Sequence, residues 1–568
     1  MEILSTQSKN LINNPFESLK IGLFLFFSLL LVGCGEHNND SLKQKSLVYC
    51  SEGSPNTFNP QQATSSITFD ASARVLFDRL IDQDENSGEI LPALANSWNT
   101  SADGKHYIFK LRKDVSFHST KFWQPTREFN ADDVLFSFRR QLVNHHPYHN
   151  AGTGNYPLFK ANGLHHLIKD IIKIDAHTVE FILNKSANNF LSIIAMDFLS
   201  IQSAEYAESM QADRNNFDLH PIGTGPFYLQ QYVADRYIRY YANNNYWRGD
   251  PEIETLVFSI SPISSNRLAK LLTAECDLMA QPEPNQIDII NQYDSIELQT
   301  QAGMNVAYWA FNLNKKPFQD VRVRTALAYA ISRKTIINVV YNNAAILARS
   351  PIPPSMLAAS KPTPTIEQNQ QLSRELLAEA NWDPEKIIEI WAMPVQRPYN
   401  PNARKMALLM QHDLQQVGVK SRIVSYEWSQ FLQRVKQGQH DTVLLGWSAD
   451  NNDADAFLNP LLSCDGAETD TNRAFWCNPD FDQQLFIARE TTGEVRIKAL
   501  QQAQQIFKTD LPWLAIAHSK RFLAWRKGVY GVKLSKTGSI DFSKISKTET
   551  SLVSISESTE TVPETINQ

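Results

Sequence analysis

Hydrophobic and polar residues follow two alternating periods across residues 387–447. Short apolar runs of strand length are separated by stretches with the 3.6-residue period of an amphipathic helix. The predicted elements are a strand over 387–393, a helix over 402–417 that Gly418 ends, a strand over 419–424, a helix over 428–436 and a strand over 442–447. Strands and helices that alternate at this spacing predict a parallel sheet with right-handed crossovers.

Up to about residue 200 the pattern is different and is dominated by strands and turns. Apolar residues occupy every second position in two segments, at Tyr107, Phe109 and Leu111 and at Val179, Phe181 and Leu183. Asn130 is a typical helix N-cap and precedes an apolar stretch. Residues 221–227, P-I-G-T-G-P-F, predict a tight turn and lack the third glycine of a dinucleotide-binding loop.

Length and composition indicate a multidomain globular protein. A chain of 568 residues is too long for one ordinary core, so two or three domains are expected. Its 42% hydrophobic content is that of a folded protein, and the net charge of −6 without a basic block excludes a nucleic-acid binder. A small soluble ligand or a protein partner is therefore expected.

The N-terminus has the features of an export signal. Lys9 and Lys20 precede an apolar run over residues 21–32, which is too short to span a bilayer but suits a signal peptide. The run ends in Leu31-Val32-Gly33-Cys34, which resembles a bacterial lipobox, and this resemblance implies a signal peptide over 1–33 and a lipid on the Cys34 sulfur. The alternatives are an uncleaved anchor or an ordinary signal peptide with an incidental cysteine. Residues 34–45 are predicted to be a tether and residues 546–568 a disordered tail.

Four cysteines remain after Cys34, namely Cys50, Cys276, Cys464 and Cys477. An even number in a chain predicted to enter an oxidising compartment predicts two disulfides. Three pairings are possible; the local pair Cys464–Cys477 is the most economical and would leave Cys50–Cys276 as the second. A zinc site is the alternative use, but the sequence contains no C-x-x-C pair.

An acid-rich loop follows the last strand of the predicted parallel sheet, where residues 442–457 read T-V-L-L-G-W-S-A-D-N-N-D-A-D-A-F. Ligands of open parallel sheets bind outside the carboxyl ends of the strands. Arg397 follows the first predicted strand and Asp450 follows the third, so opposite charges emerge at one edge of the sheet. A dipeptide, at about 3.5 Å per residue, presents an ammonium and a carboxylate at a spacing that suits such a pair. The planar fork of arginine can bond both carboxylate oxygens.

Other chemistries match these residues less well. Ala454 stands where an EF-hand loop needs an oxygen donor, and residues 446–450 lack the second glycine of a nucleophile elbow. A metal or haem site at His145, His146 and His149 is the weaker hypothesis, because surface histidines beside a proline turn are commoner. We therefore expect no enzyme, no metal and no cofactor.

Four segments carry a resemblance to a known family: residues 48–55 (V-Y-C-S-E-G-S-P), 221–227, 391–403 (W-A-M-P-V-Q-R-P-Y-N-P-N-A) and 447–457. They resemble the dipeptide-binding members of the family-5 extracellular solute-binding proteins of ABC transporters, from about residue 46 to about residue 542. The resemblance implies an α/β clamshell of the periplasmic-binding-protein type II class, with two lobes and an inserted small domain. The implied boundaries are residues 46–76, 220–301 and 521–545 for lobe I, 77–219 for the small domain and 302–520 for lobe II.

The resemblance also implies roles for single residues. Asp450 would pair with the peptide ammonium and Arg397 with its carboxylate. The pocket walls and polar contacts would come from Trp428, Trp447, Tyr399, Thr64, Ser65 and Ser66. The two disulfides of the family correspond to Cys50–Cys276 and Cys464–Cys477. Asn452, Ala454 and Ser66 depart from the glycine, proline and glycine usual in the family, so the pocket shape and side-chain preference are expected to differ.

The implied function is that of a monomeric, lipid-anchored periplasmic receptor. It would capture dipeptides or short peptides between its lobes and deliver them to the permease subunits of an ABC importer. A receptor for haem or glutathione, as among some relatives, is the alternative within the same fold. An extracellular peptidase is a third hypothesis, for which the sequence shows no zinc signature or nucleophile–base pair.

Overall fold

The computed structural model describes residues 45–84, 87–356, 366–449, 453–469 and 471–548. The predicted signal peptide, Cys34 and Asp450 lie outside these ranges. Among the described residues, none of the helices combines the length and the apolar character needed to cross a bilayer.

The described chain contains both strands and helices throughout, in the mixed order expected of an α/β protein. The strands are β1 Ser46–Ser51, β2 Ile81–Gln83, β3 Ile90–Pro92, β4 Ala95–Thr100, β5 His106–Leu111, β6 Ile168–Asp175, β7 Thr178–Leu183, β8 Phe227–Val233, β9 Tyr237–Ala242, β10 Thr255–Ile260, β11 Leu278–Ala280, β12 Ile296–Ala302, β13 Asn305–Phe311, β14 Ala345–Leu347, β15 Ile387–Ala392, β16 Lys420–Val424, β17 Thr442–Ser448, β18 Trp513–Arg526, β19 Val529–Tyr530 and β20 Ser546–Lys547. The α-helices are α1 Ser66–Leu76, α2 Ala131–Leu142, α3 Pro157–Ala161, α4 Leu164–Leu167, α5 Phe190–Ile194, α6 Ala204–Ser209, α7 Ser264–Leu272, α8 Ile287–Ile290, α9 Lys316–Gln319, α10 Val321–Ala330, α11 Arg333–Tyr341, α12 Gln370–Glu379, α13 Ala403–Gln416, α14 Trp428–Lys436, α15 Asp455–Leu462, α16 Cys464–Glu468, α17 Pro479–Glu490 and α18 Gly493–Asp510. Short 3₁₀ helices occur at Pro60–Gln62, Asp197–Leu199, Arg214–Asn216, Pro284–Gln286 and Phe542–Lys544.

Strand β18 runs through the middle of the largest sheet. Of its 14 residues only Lys520 and Arg526 are not buried, which is why its sequence is an almost continuous apolar run. Its first half pairs with β13, its middle with β14, and its second half with β12 and β11. Strands β15 to β17 extend the sheet beyond β13, while β1 and β8 to β10 extend it beyond β11. One strand therefore connects both of the predicted large lobes.

Buried apolar residues form three main cores. One core is built from residues between 304 and 517. A second, from residues 80–222, surrounds the antiparallel sheet β4-β5-β7-β6. The third combines residues 47–77, 227–280 and 523–545, which are far apart in sequence. Because a domain is defined by a core of its own, we propose the predicted lobe boundaries on the basis of these three cores.

The β-α-β-α-β prediction for residues 387–447 is confirmed. Strand β15 pairs in parallel with both β16 and β17, and helices α13 and α14 form the two crossovers. The side chain of Asn402 accepts a hydrogen bond from the Lys405 N–H and so caps α13 at 2.9 Å. The observed ends differ from the predicted ones by at most one residue, as expected for helix and strand termini.

Both predicted terminal segments extend one or two residues too far. The predicted disordered tail includes Ser546 and Lys547, but these residues form β20, which pairs with β19. The Lys547 ammonium also donates to Asp277 and to the Ser46 carbonyl at 2.9 Å each. At the other end, the carbonyl of Lys45, assigned to the tether, accepts hydrogen bonds from Glu254 N and Thr255 N. These partners are distant in sequence, so composition alone could not indicate them.

The predicted turn at residues 221–227 packs against α1 and His118. A Cβ on Gly223 would lie 2.0 Å from the Leu76 carbonyl oxygen, so only glycine allows this approach. The Gly223 N–H donates to His118 Nδ1 at 3.2 Å, and His118 Nε2 lies 2.9 Å from the Gly225 carbonyl oxygen. Nδ1 must accept and Nε2 must donate, so both partners select the neutral imidazole. Burial accordingly lowers the pKa of His118 to about 4.

We expect the free energy of unfolding to fall as pH is lowered from about 6.5 to about 4. The pKa of His118 is about 4 in the folded protein and about 6.5 in the unfolded chain, so between these values the unfolded chain binds more protons. Buried His440 and His518, with pKa values lowered to about 4, add to the effect. Urea unfolding at several pH values measures this fall in the free energy of unfolding. Each histidine is expected to contribute at most about 3 kcal/mol. A smaller pH slope is expected for His118→Gln but not for the exposed His220→Gln, and equal slopes would contradict the assignment.

Candidate functional site

A cavity of about 420 Å³ lies between the segment 62–70 on one side and β17, α14 and the loop after β15 on the other. This volume is within the range of small-ligand pockets. Seven of the predicted substrate-binding residues line it: Thr64, Ser65, Ser66, Arg397, Tyr399, Trp428 and Trp447. The eighth, Asp450, lies outside the described residues, so its role remains a prediction.

Arg397 projects from a tight turn in the loop after β15. The turn is closed by two hydrogen bonds, from Arg397 N–H to the Asn400 carbonyl at 3.1 Å and from Asn400 N–H to the Arg397 carbonyl at 2.9 Å. The guanidinium lies 4.8 Å from the centre of the Trp428 ring. Nη1 donates to the Gln396 carbonyl at 3.2 Å, and a side-chain hydrogen bond joins Arg397 to Tyr399. Stacking on an aromatic face leaves the remaining donors at the edge of the guanidinium available. Among the described residues, no carboxylate lies within ion-pair distance of Arg397, so its charge is available to a ligand.

Tyr399 is held by a hydrogen bond to its backbone and by packing of its ring against β17. Its carbonyl oxygen accepts a hydrogen bond from the Tyr341 hydroxyl at 2.7 Å. Its ring lies against Gly446 of β17 so closely that a Cβ there would be 2.2 Å from the ring Cδ2 atom. Burial raises the pKa of the Tyr399 hydroxyl, and the positive charge of Arg397 opposes this rise. Tyr399 therefore stays neutral at physiological pH and presents a hydroxyl to the cavity.

Trp428 and Trp447 are held in place by different contacts. Trp428 begins α14 and stacks on Phe431 at 5.8 Å between ring centres. Trp447 lies on β17, and its indole N–H donates to the Ala456 carbonyl at 2.9 Å. Its ring packs against the apolar cores of both residues 304–517 and residues 80–222. Trp447 is thus a cavity wall and also a packing contact between two cores.

The opposite wall is the N-terminal end of α1. Ser65 is the N-cap of this helix, and its hydroxyl accepts a hydrogen bond from the Thr68 N–H at 3.4 Å. The Ser65 side chain is therefore engaged by the helix, whereas Thr64 is exposed to the cavity. The first N–H groups of a helix have no partner within the helix and favour negative groups. This wall can contact the backbone of a ligand held by Arg397.

Asp453 and Asp455, which follow β17, both form ion pairs. Asp453 lies 2.7 Å from the Arg496 guanidinium, and Asp455 lies 3.0 Å from that of Arg489. Asp455 also accepts a hydrogen bond from the Asn189 side chain at 3.1 Å, which crosses from the core of residues 80–222. These ion pairs hold residues 453–455 at the start of α15.

Several charged residues that the sequence did not single out also line the cavity. They are Asp70, Asp197, Lys436, Arg473 and Arg521. Asp197 is neutralised by Arg79 at 2.7 Å and Arg74 at 3.2 Å. Burial raises the pKa of Asp70 well above its usual range, with a further rise from the negative charge of Glu52 and an opposing effect of Arg521. Asp70, Asp197 and Arg521 belong to segments far from the motifs around Arg397 and Asp450, and no motif marked Lys436 or Arg473.

The structure contains both predicted disulfides. Cys50 and Cys276 are bonded across a separation of 226 residues, and Cys464 and Cys477 across 13. The first joins β1 to the segment before β11, with which β1 pairs. The second closes the loop that contributes Thr469, Thr471 and Arg473 to the cavity lining. Each bridge therefore supports an element close to the cavity.

Comparison with known proteins gives consistent relatives along most of the chain. The family model described as bacterial extracellular solute-binding proteins, family 5 Middle, matches residues 89–469. The dipeptide-binding protein of Escherichia coli (strain K12) is 45% identical over 509 residues, covering 89% of this chain and 95% of that protein. Heme-binding protein A of Haemophilus influenzae is 40% identical over 501 residues, covering 88% and 91% of the two chains. A solved structure, the dipeptide-binding protein of Pseudoalteromonas sp. SM9913 in complex with Met-Leu, has a TM-score of 0.85 and 43% identity, covering 89% of this chain and 100% of that one.

Proposed function

Because the chain belongs to the bacterial extracellular solute-binding proteins of family 5 and has their type II clamshell fold, we propose that it is the substrate-binding protein of an ABC importer for dipeptides and other short peptides. The observation that carries the proposal is the cavity at Arg397. The Arg397 guanidinium stacks on Trp428 and, among the described residues, has no carboxylate partner. Three aromatic side chains, Trp428, Trp447 and Tyr399, form walls of the same cavity. A free peptide carboxylate is the group that this arrangement suits best.

Recognition rests on the two charged ends of the peptide. Arg397 bonds the carboxylate, and Asp450, which lies outside the described residues, pairs with the ammonium. A buried charge that loses its partner costs several kcal/mol, so a peptide whose termini do not reach both residues is rejected. The side chains between the two ends face Trp428, Trp447 and Tyr399, which offer apolar surface with few directed donors. This arrangement selects peptide length while tolerating different side chains.

Ligand capture is coupled to closure of the lobes. The cavity draws Thr64, Ser65 and Ser66 from one lobe and Arg397, Tyr399 and Trp428 from the other. A ligand that contacts both walls favours the closed state by the difference in its affinity for the closed and open states. The closed receptor then presents the peptide to the permease subunits. No catalytic step is assigned, since the relatives are binding proteins.

The proposed location is the periplasmic side of a bacterial membrane. Cys34 would carry the lipid, and residues 35–44 would connect it to β1. Two disulfides suit an oxidising compartment, because cytosolic thiols are kept reduced. The receptor would act as a monomer held at the membrane by its lipid.

The proposal is tested by calorimetry on the mature chain with a free dipeptide and its blocked forms. Ala-Leu should bind, whereas N-acetyl-Ala-Leu and Ala-Leu-amide should each bind at least tenfold more weakly, since each lacks one charged terminus. Equal affinity for free and blocked forms would contradict recognition by the termini.

Native mass spectrometry of protein purified without refolding identifies a co-purified ligand by its mass. Titration with haem, followed by visible absorbance, and with glutathione covers the alternative ligands, and hydrolysis of Ala-Leu would revive the peptidase hypothesis.

A further inference from the structure

A second cavity, of about 300 Å³, adjoins the first at Arg397. The residues common to both linings are Asn56, Ser65, Arg397, Pro398 and Trp428. A peptide carboxylate bound to Arg397 therefore lies at the boundary between the two cavities. The second cavity has the volume of about ten water molecules at roughly 30 Å³ each. It has room for a long side chain on the residue that bears the carboxylate.

One of the two other charged residues in this second cavity is bonded to the backbone of the cavity wall. Arg267 is fully buried, and its guanidinium donates to four carbonyl oxygens: Ser261 at 2.8 Å, Pro262 at 2.8 Å, Ala280 at 3.1 Å and Gln281 at 3.3 Å. These four bonds use four of the five N–H donors of the guanidinium and hold the backbone segments together. Arg267 is therefore a structural residue of the cavity wall.

The other charged residue is Glu52, which is half-buried and follows β1. Among the described residues, its carboxylate forms no hydrogen bond and no ion pair. Its charge acts through space on Tyr49, Asp70 and Arg267. Partly buried carboxylates usually have a partner, because desolvation of an unpaired charge is unfavourable. Glu52 is therefore the acidic residue in the lining of this cavity, and there is space beside its carboxylate.

We propose that the second cavity binds a cationic side chain on the C-terminal residue of the peptide, with Glu52 as its partner. The inference rests on the proposed function, since it takes the carboxylate to be held by Arg397. Lysine has a flexible four-carbon stem that carries its ammonium away from the backbone, and arginine is of comparable length. Dipeptides that end in lysine or arginine are thus the preferred class of ligand.

Calorimetry with matched dipeptides tests this preference. Ala-Lys and Ala-Arg should bind about tenfold more tightly than Ala-norleucine, which has an apolar side chain of similar length, and Ala-Glu should bind more weakly. Lys-Ala should gain no such advantage, because its cation lies at the other end of the ligand. Equal affinities for Ala-Lys and Ala-norleucine, or the same gain for Lys-Ala, would overturn the assignment.

Substitution of Glu52 tests the residue itself. Glu52→Gln should reduce the ratio of the Ala-Lys and Ala-norleucine affinities towards one, and Glu52→Lys should favour Ala-Glu over Ala-Lys. Glu297→Gln, an exposed acid on β12 outside both cavities, is the matched control and should keep the wild-type ratio. An unchanged ratio in both Glu52 variants would overturn the proposal. If all dipeptides bind with equal affinity, only the side-chain preference fails; if none binds, the peptide-binding function fails as well.

Discussion

Replacement of Arg397 by alanine is expected to weaken dipeptide binding by roughly 30-fold to several-thousand-fold. The guanidinium is the residue's only charged group, and it lies at the junction of the two cavities, 4.8 Å from the Trp428 ring centre. Without it, the ligand carboxylate would be enclosed by the protein with no cationic partner. Truncation of one member of a buried, hydrogen-bonded charge pair costs about 2–5 kcal/mol, and about 1.4 kcal/mol corresponds to a factor of ten in affinity.

Two further variants separate charge from geometry at this position. Arg397→Lys retains the positive charge but loses the planar fork and the stacking on Trp428, so its affinity should lie between those of the wild type and Arg397→Ala. Arg404→Ala, which removes an exposed guanidinium from α13, is the matched control and should bind as the wild type does. Calorimetry gives the affinities, and thermal unfolding shows whether each variant is folded. A folded Arg397→Ala protein with wild-type affinity would exclude Arg397 from the site.

Much of the architecture around Arg397 was predictable because its signals are local. Asn402 as an N-cap, Gly418 after the helix and the apolar runs on either side specify one β-α-β unit within 40 residues. Parallel pairing then places the loops after β15 and β17 at one edge of the sheet without any knowledge of the rest of the chain. The position of Arg397 in the cavity lining follows from this geometry.

Residues contributed from distant segments could not be predicted in the same way. Glu52 and Asp70 lie more than 300 residues before Arg397, and the pairing of β11, β12 and β13 with β18 joins the two regions in one sheet. Hydrophobic periodicity reports which face of an element is buried, but not which other element covers it. Glycine is required at position 446 for a similar reason. A Cβ there would clash with the Tyr399 ring, which comes from another loop. The negative charge near the carboxylate end of the ligand is therefore visible only in the folded chain.

The Cys50–Cys276 disulfide is expected to contribute more to stability than the Cys464–Cys477 disulfide. Both bonds restrict the unfolded chain, and the loss of entropy grows with the number of residues enclosed. The separation of 226 residues predicts a contribution of about 5.4 kcal/mol for Cys50–Cys276, whereas the separation of 13 residues predicts about 3 kcal/mol for Cys464–Cys477. The long bridge also reinforces the parallel pairing of β1 with β11, where Cys50 is opposite Met279.

Urea unfolding of two double variants measures this order. Cys50→Ala/Cys276→Ala should lower the free energy of unfolding by more than Cys464→Ala/Cys477→Ala does, when both are compared with the oxidised wild type. Because β1 leads directly to Glu52 and the N-terminal side of the cavity, loss of the long bridge should also weaken dipeptide binding. Loss of the short bridge instead loosens the segment that bears Thr469, Thr471 and Arg473. A larger loss of stability in Cys464→Ala/Cys477→Ala would show that native-state contacts, rather than loop entropy, determine what each disulfide contributes.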